Sequence, residues 1–118
     1  MDYTKSWLLM WSLTYIICAI LKPNIFQNLP PMWSGIVMLA FGAYMLIGLF
    51  FRKILAGRII LFTSGVLETI SGVASWTGII HYNVPFVDKA MFNLTMSGFD
   101  LLSAIFLFSL ANIFRDKI

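Results

Sequence analysis

Four long apolar stretches alternate with short polar segments along this chain of 118 residues. The apolar stretches cover about residues 6–21, 32–51, 59–80 and 90–114, and all four prolines lie between them. Because an α-helix rises about 1.5 Å per residue, the three longer stretches reach across a hydrocarbon core of roughly 30 Å. The pattern predicts an all-α integral membrane protein, a single domain over residues 1–118 that forms an antiparallel bundle of four transmembrane helices.

The amino-acid composition indicates that much of the protein's surface contacts lipid. Hydrophobic residues make up 60% of the chain and charged residues 11%, whereas charged residues make up about 25% of an ordinary soluble domain. We therefore expect a multi-pass protein of a cell or inner membrane, with the lipid bilayer as its main partner. No small-x-small cleavage site follows the first stretch, so that stretch is predicted to remain as a helix rather than to be removed as a signal peptide.

The distribution of cations predicts the orientation. Six Lys or Arg residues fall on one side of the predicted spans and two, Lys22 and Lys89, on the other. By the positive-inside rule both termini lie in the cytoplasm. Aromatic residues at span ends are the expected interface anchors. They are Trp7 on the inner side and Trp33, Trp76 and Tyr82 on the outer side.

Several kinds of chemistry are not expected from this chain. Its net charge is +3, but the basic residues form no patch, so nucleic acid is not a predicted partner. Cys18 and His81 are the only cysteine and histidine, too few for a zinc or haem site in one chain. We expect no metal, no cofactor and no enzyme activity by this chain alone.

Two acidic residues lie deep within the apolar stretches. Glu68 is near the middle of the third stretch and Asp100 near the middle of the fourth. A charged residue at the bilayer centre costs roughly 2.5–3.5 kcal/mol on insertion scales. Each acid therefore needs a partner, a water-filled cavity or a proton, and the two form the candidate intramembrane polar contact or proton or cation site.

Small residues share helix faces with both acids. Gly65, Glu68, Gly72 and Ser75 recur at three- and four-residue spacing, which places them on one face of the third helix. Small residues allow close helix contact, so this face is predicted to pack against another helix. The candidates for the polar contact are Glu68, Asp100, Ser71, Ser75, Ser97 and Ser103, and those for close packing are Gly65, Gly72 and Gly42.

Antiparallel third and fourth helices would bring the two acids to similar depth. If the carboxyl groups face each other, they are expected to share a proton. No basic residue of the sequence lies within direct reach of Glu68, since Arg58 is ten residues away, about 15 Å along the helix axis. The alternative is that another chain supplies a cation.

The run Gly65-x-x-Glu68-x-x-x-Gly72-x-x-Ser75-x-x-Gly78 resembles the glutamate-bearing helix of the DoxX-like four-helix membrane proteins. The resemblance covers one helix of four. Several members of that family are associated with quinone-linked or sulfur-linked oxidoreductase systems, so the resemblance implies an oxidoreductase setting and a role for Glu68.

Three functions remain open on these grounds. The favoured prediction is a small structural or accessory subunit of a larger integral-membrane complex, such as a respiratory or monooxygenase-type oxidoreductase, with other membrane subunits as partners. The alternative is a small homo-oligomeric transporter or channel in which Glu68 and Asp100 handle protons or cations. A holin-like or toxin-immunity membrane protein is the third hypothesis.

Overall fold

The computed structural model of the chain describes residues 3–22, 24–82 and 88–111, and for Pro31 the backbone alone. It contains helices α1 (Tyr3–Leu21), α2 (Pro31–Phe50), α3 (Leu55–Trp76) and α4 (Lys89–Ala111). With 19 to 23 residues each, all four are long and apolar enough to cross a membrane. The all-α, four-helix prediction is confirmed at this level. The predicted end of the fourth helix at residue 114 and the cations Arg115 and Lys117 lie outside the described residues.

Helix α3 is displaced from its predicted bounds by four residues at each end. It begins at Leu55 rather than 59 and ends at Trp76 rather than 80. The end is set by Gly78, whose φ of 81° lies in the left-handed region. Its N–H donates to the carbonyl of Ser75 and that of Ile79 to the carbonyl of Ala74, the paired bonds of a Schellman motif. Gly78 therefore terminates the helix and does not extend its packing face.

The turn between α2 and α3 is tight and depends on a glycine. The N–H of Ile54 donates to the carbonyl of Phe51, and α3 starts at the next residue. A Cβ atom on Gly57 would overlap the carbonyl group of Phe51. Glycine is needed here because the chain returns so closely on itself that no side chain fits.

The helices form a ring in the order α1, α2, α3, α4, with neighbours antiparallel. The α3–α4 hairpin has the most extensive contact, the α1–α2 hairpin comes next, and α2–α3 and α1–α4 are in sparser contact. We call the end of the bundle that holds Tyr3 and Ala111 the proximal end, and the end that holds residues 24–30 and 77–82 the distal end. Short connections enforce this neighbour order.

The proximal half of the bundle is filled by an apolar plug to which all four helices contribute. Its members are fully or nearly fully buried and comprise Leu8, Met45, Leu49, Leu61, Leu107 and Ala111. Leu61 and Leu107 lie seven residues, or about two helical turns, from Glu68 and Asp100 respectively. The plug therefore separates the mid-depth acids from the proximal end.

The distal end is closed partly by contacts between its two connections. Phe26 and Tyr82 form an isolated antiparallel bridge, and the N–H of Gln27 donates to the carbonyl of His81 at 2.7 Å. The side chain of Asn28 accepts from the N–H of His81 at 2.7 Å and donates to the carbonyl of Ile79 at 3.0 Å. These bonds fix the segment before α2 against the end of α3.

Candidate functional site

Glu68 and Asp100 meet in the middle of the bundle. Their side chains are 0% and 1% exposed, and a carboxyl oxygen of each lies within 3.3 Å of one and the same hydroxyl, that of Tyr15. The contact follows from the α3–α4 hairpin, which brings residues at matched depth onto facing sides. We call these two residues the acid pair.

Tyr15 of α1 bridges the acid pair. Its hydroxyl lies 3.0 Å from Glu68 Oε1 and 3.3 Å from Asp100 Oδ1. A phenol has one proton to donate and lone pairs with which to accept. It can therefore donate to one carboxylate while it accepts from the other carboxyl group when that group is protonated.

Ser71 completes the hydrogen bonds of Asp100, whereas one oxygen of Glu68 lacks a clear partner. The Ser71 hydroxyl donates to Asp100 Oδ2 at 3.0 Å. Among the described residues, Glu68 Oε2 and the indole N–H of Trp11 are buried without a well-formed hydrogen bond. The Trp11 indole lies near the Glu68 carboxyl.

The chemistry of this arrangement requires a proton. An ionised carboxylate accepts hydrogen bonds but cannot donate one. Two carboxyl groups can bond to each other in an apolar interior when one of them is protonated, and the pair then carries a single negative charge. The acid pair is therefore suited to hold one proton between its carboxyl groups.

The remaining serine candidates have other positions. Ser75 forms a 2.7 Å hydrogen bond with the hydroxyl of Tyr82, and Ser103 accepts from the indole N–H of Trp7 at 2.8 Å. Ser97 is buried, and its backbone carbonyl faces Gly72. The structure thus unites Glu68, Asp100 and Ser71 and places Ser75 and Ser103 in separate contacts.

The four expected interface anchors differ in their exposure. Tyr82 is 4% exposed, with its ring against Phe26 and Phe92, so it is part of the distal closure rather than a lipid-facing anchor. Burial raises the pKa of Tyr82 to about 12, which keeps its hydroxyl protonated and hydrogen-bonded at neutral pH. Trp7 is turned inward toward Ser103, whereas Trp33 and Trp76 are exposed near the distal end.

The three glycines expected at helix contacts are buried and have close neighbours. A Cβ atom on Gly42 would come within 2.9 Å of the carbonyl oxygen of Ser12 on α1. Gly65 faces Phe108, and Gly72 faces Leu101, both on α4. Small residues at these positions allow the hairpin helices to approach, which is what brings the acids together.

A large cavity lies beside the acid pair. Its volume is about 640 Å³, within the range of about 300–1,000 Å³ of small-molecule sites. Exposed residues of α2 (Val37 and Ala40) and of α3 (Thr63 and Leu67) form its rim, so it opens sideways between these helices. Its remaining wall is largely apolar and aromatic, and Tyr15 and Ser71 are part of it. The hydroxyl ligands of the acid pair are therefore also wall residues of the cavity.

Sequence reasoning missed Tyr15, Trp11 and the cavity. The position of Tyr15 was a usable signal. Tyrosine and tryptophan in membrane helices concentrate at the interfaces, whereas Tyr15 lies near the middle of α1. A tyrosine at that depth needs a partner for its hydroxyl, and buried acids on other helices are suitable partners. The cavity left no such signal, because it results from the spacing of α2 and α3.

Replacement of Tyr15 by Phe tests the bridge. We expect Tyr15→Phe to lower the free energy of unfolding by about 1–3 kcal/mol, because both acids lose a buried hydrogen-bond partner while the ring packing stays. The measurement is reversible unfolding in mixed micelles, followed by tryptophan fluorescence. The matched control is Tyr44→Phe, a partly buried tyrosine of the cavity wall on α2. Equal stability of wild type and Tyr15→Phe would contradict the bridging role.

Comparisons of the chain with protein-family models, with curated proteins and with solved structures find no match. The resemblance of α3 to DoxX-like proteins stays a prediction drawn from one helix.

Proposed function

We propose that this chain is a small multi-pass membrane protein that holds and releases a proton at the acid pair in step with the binding of a molecule in the adjacent cavity, as a proton-coupled transporter does. The observation that carries the proposal is that Tyr15 and Ser71 belong to both sites. A molecule that contacts these hydroxyls changes the hydrogen bonds, and hence the proton affinity, of the carboxyl groups behind them.

The two halves of the bundle differ in what they offer a proton that leaves the acid pair. On the distal side, Ser71 and the Ser75–Tyr82 pair supply hydroxyls along the same face of α3. On the proximal side, the apolar plug blocks the way. The acid pair is thus closed off toward the proximal end, while the cavity beside it opens sideways between α2 and α3. Such an asymmetric arrangement fits one of the two states that alternating access requires.

The orientation proposed for the chain is the one that the cations predict, with both termini in the cytoplasm of a cell or inner membrane. In that orientation the plug lies toward the cytoplasm. The cavity then opens toward the outer half of the bilayer, from which a lipid-soluble molecule can enter between α2 and α3.

The second candidate function is the accessory subunit of a larger membrane complex, including an oxidoreductase. The side opening between α2 and α3 favours it, since a helix of another subunit or of a second copy would cover the exposed apolar rim. The mid-depth acids argue less strongly for a partner subunit, because three of their four carboxyl oxygens have hydrogen-bond partners within the chain.

Proton flux into liposomes tests the proposed function. Purified protein is reconstituted around a pH-sensitive dye, and an outward potassium gradient with valinomycin drives protons inward. We expect wild type to carry protons at least about tenfold faster than Glu68→Gln and Asp100→Asn, because an amide cannot take up and release a proton at neutral pH. Thr95→Val, which alters an exposed hydroxyl bonded within its own helix, is the control and should match wild type.

Flux of wild type no faster than that of the double variant Glu68→Gln/Asp100→Asn would refute proton handling.

Native mass spectrometry of the chain, extracted in mild detergent from its own membrane, addresses the second candidate. Stoichiometric co-purification with other subunits, together with absent flux, would favour the accessory subunit.

A further inference from the structure

Tyr15 and Ser71 form part of the cavity wall, and the protons of their hydroxyl groups are already donated to the acid pair. Tyr15 donates to the acid pair, and Ser71 donates to Asp100 Oδ2. Each hydroxyl has a single proton, so a molecule that reaches these hydroxyls from the cavity meets lone pairs alone. A molecule that bonds to them must itself be a hydrogen-bond donor.

Charge and aromatic rings narrow the choice of donor further. The acid pair with one proton carries one negative charge, and it lies directly behind the two hydroxyls. The cavity wall contains the rings of Tyr15, Phe26, Phe41 and Tyr44, and aromatic faces attract cations. A neutral donor such as an alcohol can bond to the lone pairs alone. An ammonium group can bond to the lone pairs and is also attracted by the negative charge and the aromatic rings.

The way into the cavity requires that the rest of the molecule be apolar. The rim residues Val37 and Leu67 are 45% and 44% exposed on the side of the bundle, where the solvent is lipid if the helices span the membrane. A molecule that enters there must dissolve in the bilayer. The volume of about 640 Å³ leaves room for an aryl or alkyl body as well as the amine.

We propose that the cavity binds lipophilic amines in their protonated form, with the ammonium group against Tyr15 and Ser71, and that each bound ammonium displaces the proton of the acid pair. This inference rests on the proposed function and names its substrate class. The charges balance, because the pair goes from one negative charge to two, the ammonium brings one positive charge, and one proton is released.

Three probes that differ only at the head group separate the contributions. Phenylbutylamine, protonated at neutral pH, is a cation with N–H donors. Its trimethylammonium analogue is a cation without N–H donors, and phenylbutanol is a neutral donor. Binding to the full chain in lipid nanodiscs is measured by isothermal titration calorimetry in two buffers of different ionisation enthalpy, which also counts the protons released.

We expect the amine to bind about tenfold more tightly than either analogue, because one analogue lacks the N–H donors and the other lacks the positive charge. We also expect about one proton released per amine bound at neutral pH. Equal affinity of the amine and the alcohol would show that the positive charge is not recognised. Equal affinity of the amine and the trimethylammonium analogue would show that the N–H donors are not recognised. Either result would overturn the proposal. Absence of proton release on amine binding would overturn the displacement.

Two variants locate the binding. Ala40→Phe fills the cavity from its rim without touching the acids, and we expect it to abolish amine binding. Leu39→Phe adds the same ring to an exposed position of the same helix that is not part of the cavity wall, and it should bind as wild type does. Unchanged binding by Ala40→Phe would refute the cavity as the site.

Failure of this inference can be told apart from failure of the proposed function. If no amine binds but wild-type liposomes still carry protons through Glu68 and Asp100, the substrate class is wrong and proton handling stands. If protons are not carried and no amine binds, both proposals fall.

Discussion

Replacing Glu68 by alanine should destabilise the bundle by about 3 kcal/mol. The side chain is fully buried, so its removal leaves a cavity. It also deprives the Tyr15 hydroxyl of the acceptor at 3.0 Å, which leaves a polar group poorly paired in an apolar interior. Relief from burying a carboxyl group offsets part of this cost. Reversible unfolding in mixed micelles is the measurement.

Glu68→Gln separates packing from protonation. The amide has the same shape, can accept from Tyr15 and can donate to Asp100. We expect its free energy of unfolding to stay within about 1 kcal/mol of wild type, although its proton flux is lost. Thr69→Ala, at the next position, serves as the control for the alanine change. A stable Glu68→Ala protein would show that the acid pair contributes nothing to the fold and would leave function as the reason for its presence.

The depth of the acid pair could be predicted from the sequence because it follows from local geometry. Glu68 and Asp100 lie near the middles of consecutive apolar stretches, and a short connection makes consecutive helices antiparallel neighbours. The faces could be predicted as well, since small residues such as Gly72 recur with helical spacing. That the two side chains point at each other depends on helix rotation, which these patterns leave open.

The helix bounds show where local patterns mislead. Arg58 was expected to precede the third helix, but it lies in the first turn of α3, because a long cationic side chain can extend along a helix toward the interface. At the other end, the apolar residues after Trp76 extended the predicted helix, although Gly78 gave a valid signal for its end. The hydrophobic pattern therefore predicts that a helix is present more reliably than it predicts where the helix begins and ends.

The bridging tyrosine and the cavity could not be predicted from neighbouring elements alone. Tyr15 belongs to α1, which lies diagonally opposite α3 in the ring of helices, so its contact with Glu68 requires the whole bundle. The cavity arises because α2 and α3 are in sparser contact than the helices of the two hairpins. Both features are products of tertiary packing, and both carry the functional proposal.

Replacing Leu61 by alanine should have the other large effect. Leu61 is 0% exposed at the centre of the apolar plug, and truncation of a fully buried leucine costs about 2–5 kcal/mol. In a membrane the loss comes mainly from packing, since lipid tails are as apolar as the plug. We therefore expect a drop of about 2–3 kcal/mol in reversible unfolding.

The same change tests what the plug does. A gap at Leu61 lies two turns from Glu68, between the acid pair and the proximal end, and water that enters it would give protons a route past the plug. We expect Leu61→Ala to raise proton leak in liposomes and to make that leak independent of cavity-filling changes such as Ala40→Phe. Ile70→Ala, on the exposed face of the same helix, should change neither stability nor leak by a comparable amount. A destabilised Leu61→Ala protein with wild-type proton flux would show that the plug supports the fold without acting as a barrier.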